Sequence, residues 1–171
     1  MKQLLFFFIP FFFVGKNSTN LVAYRKMMDA AVENSDVAER IYGEFKAFDE
    51  NGQSVLVGYR GISELLMCKH VFNPVKKIAY FRRGRALLES AIKSSPGDPE
   101  LIFLRYTTQV NVPSILNYSA NLDNDKDLLI AYLQKGVSGN TDQDLYCRIK
   151  NYMEQSRTLT AYERSIIKNL L

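Results

Sequence analysis

The feature that most constrains this chain is Ser95-Pro96-Gly97-Asp98-Pro99, set between two apolar segments. Proline fixes φ and lacks a backbone donor, and glycine reaches conformations closed to other residues, so no helix runs through these positions. Before the break, Phe81, Leu88, Ala91 and Ile92 recur at helical steps; after it, Leu101 to Val110 is apolar almost all round. The spacing predicts a helix over 74–95, a tight turn, and a central buried helix from Glu100. Two helices joined by so short a turn lie antiparallel.

The same periodicity covers the rest of the chain. Leu21, Tyr24, Met27, Met28 and Ala31 predict a first helix, and Asn34-Ser35-Asp36 a stop and restart with Ser35 as N-cap. Val37, Ile41, Phe45 and Phe48 form the stripe of a second helix. A third runs over 53–69, with Val57, Ile62, Leu65, Leu66 and Cys68 turned inward. Asn73-Pro74 starts the fourth, whose inner face also includes Ile78. Segments 123–135, 143–154 and 162–171 supply three more, the last capped by Thr160 with Glu163 completing a capping box. No stretch alternates convincingly with period two. The fold class is therefore all-α, a stack of antiparallel hairpins of about seven to eight helices. Gly58, Gly61 and Gly84 fall inside helices, where glycine costs about 1 kcal/mol against alanine. Close approach of a neighbouring helix is the expected compensation.

The N-terminus carries a separate signal. Met1-Lys2-Gln3 precedes the apolar run Leu4 to Val14, and polar Lys16 to Asn20 follow. Eleven helical residues rise about 16 Å, roughly half a bilayer core, which is too short to span and suits a secretory signal. Residues 1–18 are expected to be a signal peptide and 19–171 a single helical domain, placing the protein in the periplasm or outside the cell. Gly15 is the best residue to precede cleavage; an uncleaved anchor is the alternative. Export permits a disulfide between Cys68 and Cys147. Their apolar helical surroundings equally fit two buried free thiols.

With 171 residues, the chain is long enough for a real core. A net charge of +4 gives weak attraction to anions and argues against a dedicated nucleic-acid binder. Tryptophan is absent, so Phe, Tyr, Leu and Ile must supply the large contacts.

Two resemblances follow from particular residues. Gly84, Leu88, Ala91 and Pro96 sit at the spacing of the second half of a tetratricopeptide repeat, which implies a tetratricopeptide-like, α-solenoid-like stack. Arg105 and Tyr106 depart from that motif where leucine and glycine are wanted. A signal peptide followed by Glu100 to Pro113, then Leu116, Tyr118, Asn121, Asp125 and Lys126, resembles a group of small exported all-helical bacterial proteins of unassigned function. That resemblance supports export and fold and implies no chemistry. Its pattern picks out Arg105, Gln109, Asn111, Pro113, Tyr118, Asn121, Asp125 and Lys126.

Arg105 and Gln109 are four apart and share one face of an otherwise apolar helix. A buried arginine needs a partner, and Asp125 or Glu89 would supply one, pinning the Asn111–Pro113 turn against the sixth helix. Alternatively, Arg105, Gln109, Asn111 and Tyr118 line a groove that grips a carboxylate or peptide backbone. Lys69 to Arg85 holds Lys76, Lys77, Arg82, Arg83 and Arg85 with no acidic residue, either a solvated face or an anion-binding one. His70 has no histidine partner for a zinc pair and is expected to cap helix-end carbonyls; a Cys68–His70 nucleophile pair would diverge. Asn17-Ser-Thr and Asn117-Tyr-Ser fit a glycan acceptor only in a eukaryotic setting. No metal or cofactor site is expected. The leading expectation is a non-enzymatic exported module binding a protein or peptide of the cell envelope. The second is a binder of anionic lipid or envelope polymer through Lys69–Arg85, and the third a hydrolase using Arg105 with Asp125.

Overall fold

The computed structural model describes residues 18–139 and 141–170, and side chains from Leu21 onward. The expected signal segment thus lies outside the described residues, apart from Ser18, the first residue of α1. The helices are α1 (Ser18–Glu33), α2 (Ser35–Lys46), α3 (Ser54–His70), α4 (Pro74–Ser94), α5 (Pro99–Asn111), α6 (Leu122–Gln134), α7 (Gln143–Gln155) and α8 (Ala161–Lys168), with a 3-10 turn, η1 (Ser114–Leu116), between α5 and α6. The protein is all-α, as its periodicity requires.

Caps set most boundaries. Asn34, not Ser35, caps α2, its side chain accepting from the Asp36 and Val37 N–H groups. Both residues are good caps; the extended φ/ψ falls on Asn34, which lets its amide oxygen reach back over the first turn. Asn73 and Asp98 do the same for α4 and α5, each with proline at the next position, and Thr160 with Glu163 forms the full capping box of α8. Gly97 at φ 84° makes the reversal between α4 and α5.

Helices pack chiefly on their neighbours in sequence, with second neighbours meeting between α1 and α3, α3 and α5, and α6 and α8. The α3–α4 pair is the closest. A Cβ on Gly61 would lie 2.8 Å from the Gly84 carbonyl oxygen, and one on Gly84 2.7 Å from that of Gly61, so these glycines are what lets the two backbones touch. Gly58 likewise makes room for Leu101 of α5.

Two apolar clusters result. Ala31, Ile41, Phe45, Tyr59 and Leu101 belong to the one built by α1 to α5, and Tyr106, Leu129, Leu133, Ile149, Met153 and Ile167 to the one built by α5 to α8. α5 serves both, which makes it the central helix. It is less apolar than its sequence reads: Glu100, Arg105 and Gln109 are buried along with Leu101, Ile102 and Phe103. The array also curls back on itself. Arg25 and Asp29 of α1 reach Asp142, Asp144 and Arg148 at the start of α7 and within it. Ile78, expected inside α4, is 46% exposed. Positions 81, 84, 88 and 91 already fill the face turned to α3, and Ile78 lies off that stripe.

Candidate functional site

Arg105 points into the gap between α4 and α6. Its Nε and Nη2 donate to the two carboxylate oxygens of Asp125, at 2.8 and 2.6 Å, while Nη1 donates to Glu89 of α4 at 2.9 Å. Gln109, one turn on, donates from Nε2 to Asp125 at 2.7 Å and accepts the Asn121 N–H at 3.0 Å. The Tyr118 hydroxyl donates to the other oxygen of Glu89 at 2.6 Å. Both expected acids are thus engaged at once, and Asp125 is wholly buried. A fork-shaped guanidinium meeting a carboxylate through two bonds is a strong, geometrically specific way to neutralise a buried carboxylate. Asp125 raises the Arg105 pKa further above its ordinary range, overcoming the cost of burial, and burial together with Glu89 pushes the Tyr118 phenol well up.

Of the four residues read as lining a groove, three are turned inward. Arg105, Gln109 and Tyr118 are buried, with their polar atoms bonded to one another's partners. Asn111 lies on the surface and donates to the Thr107 carbonyl and the Tyr152 hydroxyl. The arrangement ties α4, α5, η1 and α6 together. It offers no free guanidinium to an incoming carboxylate, and Asp125 has no surface from which to activate a water.

A second network has no counterpart in the sequence reading. Arg25, only 3% exposed, donates through Nε and Nη2 to Glu100 at 2.7 and 2.9 Å, to Asp142 at 2.7 Å, and through Nη1 to Asp144 at 2.8 Å. The Tyr59 hydroxyl also donates to Glu100. Burial works against the Arg25 charge, but its bonds to Glu100 and Asp142 more than offset this and raise its pKa. Arg25 escaped notice because it sits beside Tyr24 in an ordinary amphipathic helix, while its partners lie 75 and more residues away. The one local hint was acidic Glu100 opening an otherwise apolar helix.

The basic residues of α4 divide. Arg83 donates to Glu64 at 3.0 and 3.1 Å and lies over the Tyr80 ring. Lys76, Lys77, Arg82 and Arg85 are exposed and make no ion pair among the described residues. Arg85 stacks over the Tyr118 ring, 4.9 Å from its centroid. Next to them stand large apolar side chains with little cover: Phe72 (98% exposed), Val75 (76%) and, on η1, Ile115 (89%). A shallow groove of about 600 Å³ runs between α4 and η1, lined by Ile78, Arg82, Arg85, Ala86, Ile115 and Leu116 among others.

The remaining readings are local. Cys68 and Cys147 are free; Cys68 is half-buried, with its thiol pushed up by burial, and Cys147 is exposed on α7 rather than buried. The His70 ring bonds the Ala31 carbonyl at 2.8 Å, a carbonyl near the end of α1 rather than of its own helix. Asn117 follows η1 in the left-handed region, and Asn17 lies outside the described residues. No cluster of acidic, histidine or cysteine side chains among the described residues is placed to hold a metal ion, and none of these helices is long and apolar enough to cross a membrane.

Comparison with protein families, with curated proteins and with solved structures gives no match for this chain.

Proposed function

We propose that this protein is a non-enzymatic, exported binding module whose working surface is the outer face of α4 and whose partner in the cell envelope is anionic. One observation carries the reading: three cations that make no ion pair among the described residues stand beside the most exposed large apolar side chains of this region, Lys76 next to Phe72, and Arg82 and Arg85 next to Ile115. Exposed apolar groups together with unneutralised charge are what a surface needs to hold a partner by contact and by field. The Arg105 network supports the reading indirectly. It braces η1 and α4 against α5 and α6, giving the outer face a fixed shape, and Arg85 is stacked on a member of that network. Acidic proteins and peptides, anionic polymers and anionic lipids all carry the required negative charge.

The test is a crosslinked pull-down from the source cell's envelope fraction with wild type and with Lys76→Glu/Arg82→Glu. The expected result is a discrete bound component that weakens at moderate salt and is lost in the charge-reversed variant. Equal retention by both proteins would dismiss the α4 face.

A further inference from the structure

Within that reading, which this step rests on, we infer that the partner of the α4 face is an anionic membrane surface, engaged peripherally with Phe72, Val75 and Ile115 entering the interface. Three features of the geometry point there. First, Val75, Ile78, Arg82 and Arg85 follow at steps of three and four, so they form one stripe of α4 turned away from α3. η1 lies alongside and brings Ile115 and Leu116 to the same groove. Second, the apolar side chains protrude instead of lining a deep hollow. Phe72 stands on the corner between α3 and α4, held there by the Asn73 cap and Pro74. A folded partner would have to supply a hollow matched to each protruding side chain, whereas lipid takes such side chains at any position along the surface.

Third, the charges match. Arg82 and Arg85 belong to the α4 stripe and line the groove with Ile115, and Lys76 stands beside Phe72; such long basic side chains reach headgroup phosphates while their stems rest on apolar surface. The acids nearby do little to cancel them. Glu89 is held by Arg105 and Tyr118 and Glu64 by Arg83, which leaves Glu39, lining the hollow with Lys76 and Phe72, as the acid that offsets part of the field there.

The chain contains no tryptophan, so Phe72→Trp introduces a single fluorescent reporter at the proposed point of entry. The probes are phosphatidylglycerol-rich vesicles, pure phosphatidylcholine vesicles, and soluble polyglutamate. The expected result is a blue shift with the anionic vesicles and quenching by brominated acyl chains, with little change on phosphatidylcholine. Phe72→Ser/Ile115→Ser should weaken vesicle binding on the order of tenfold without altering its salt dependence. Lys76→Glu/Arg82→Glu should abolish the binding, each lost cation contributing about fivefold. All four positions are exposed, and a matching circular dichroism spectrum checks that the fold is kept. Vesicle binding without a blue shift, or unaffected by the serine pair, would overturn insertion. Retention on polyglutamate or on an envelope protein without vesicle binding would overturn the membrane inference and leave the anionic-partner reading standing. No binding to any anionic probe, together with no difference in the pull-down, would remove both.

Discussion

At the scale of single residues, the protein is governed by how its buried charges are paired. Asp125 has no exposed surface, and its carboxylate oxygens are bonded by Arg105 and Gln109. Arg105→Met should lower the unfolding free energy by about 3–5 kcal/mol, because it strands a buried carboxylate. Arg105→Met/Asp125→Leu should recover a good part of that loss, since neither charge is then left alone in the interior. Urea unfolding of the single and double variants measures the difference. A loss under about 1 kcal/mol in the single variant would mean water already reaches Asp125. Arg105 and Gln109 stood out in the sequence because polar groups on an otherwise apolar helix are costly, Asp125 and Glu89 as acids that could answer a buried arginine, and Tyr118 through a resemblance. That argument located the cluster but could not say whether it faces inward or outward.

At the scale of elements, the glycines separate into two kinds that look alike in sequence. Gly84 touches backbone across the α3–α4 contact, whereas a Cβ at Gly43, on the exposed side of α2, would meet nothing within 4 Å. Gly43→Ala should therefore raise stability by about 0.5–1 kcal/mol, the gain in helix propensity. Gly84→Ala should lower it despite the same gain, since the added methyl collides with a carbonyl that cannot move without parting two helices. Overpacking of this kind costs about 1–3 kcal/mol. Thermal melts of the two variants, shifting in opposite directions, are the check. Helix starts were legible to within a residue or two, because Asn73-Pro74, Asp98-Pro99 and Thr160 with Glu163 are local signals that act on their own backbone. The end of α8, expected at 171, falls instead at Lys168. Ile78 was misplaced because helical period alone does not say which of two adjacent apolar stripes a neighbour will cover.

At the scale of the whole molecule, Arg25, together with the Asp29–Arg148 pair, joins parts that are otherwise linked through α5. It ties α1 to α5 and to the start of α7, closing an array that would otherwise stay open between its two apolar clusters. Burial alone would push the Asp142 carboxyl up, but Arg25 and the Leu145 N–H hold it below the ordinary value of 3.8. A carboxylate whose folded pKa lies under its unfolded one stabilises fully above the unfolded value, and that contribution fades as pH falls toward the folded one. Stability should therefore drop as pH descends below about 3.8, and Asp142→Asn should flatten this part of the profile. Urea midpoints recorded against pH test it. In hydrogen exchange, Arg25→Met should cost protection in α1 and α7 together, although they are far apart in sequence; loss in α1 alone would show that the closure does not couple them.

By itself, the sequence determined what acts over a few residues: helix periodicity, caps, the Pro-Gly-Asp-Pro reversal, and the need of buried arginine for an acid. Tertiary structure alone decided which acids answered Arg25, that Gly61 and Gly84 face each other, and that Arg105 turns inward while Lys76, Arg82 and Arg85 stay in solvent. The reason is that a helix presents its stripes by its own geometry, but what covers each stripe depends on segments far along the chain. Charge burial follows the covering partner, so it becomes visible only when the array has closed.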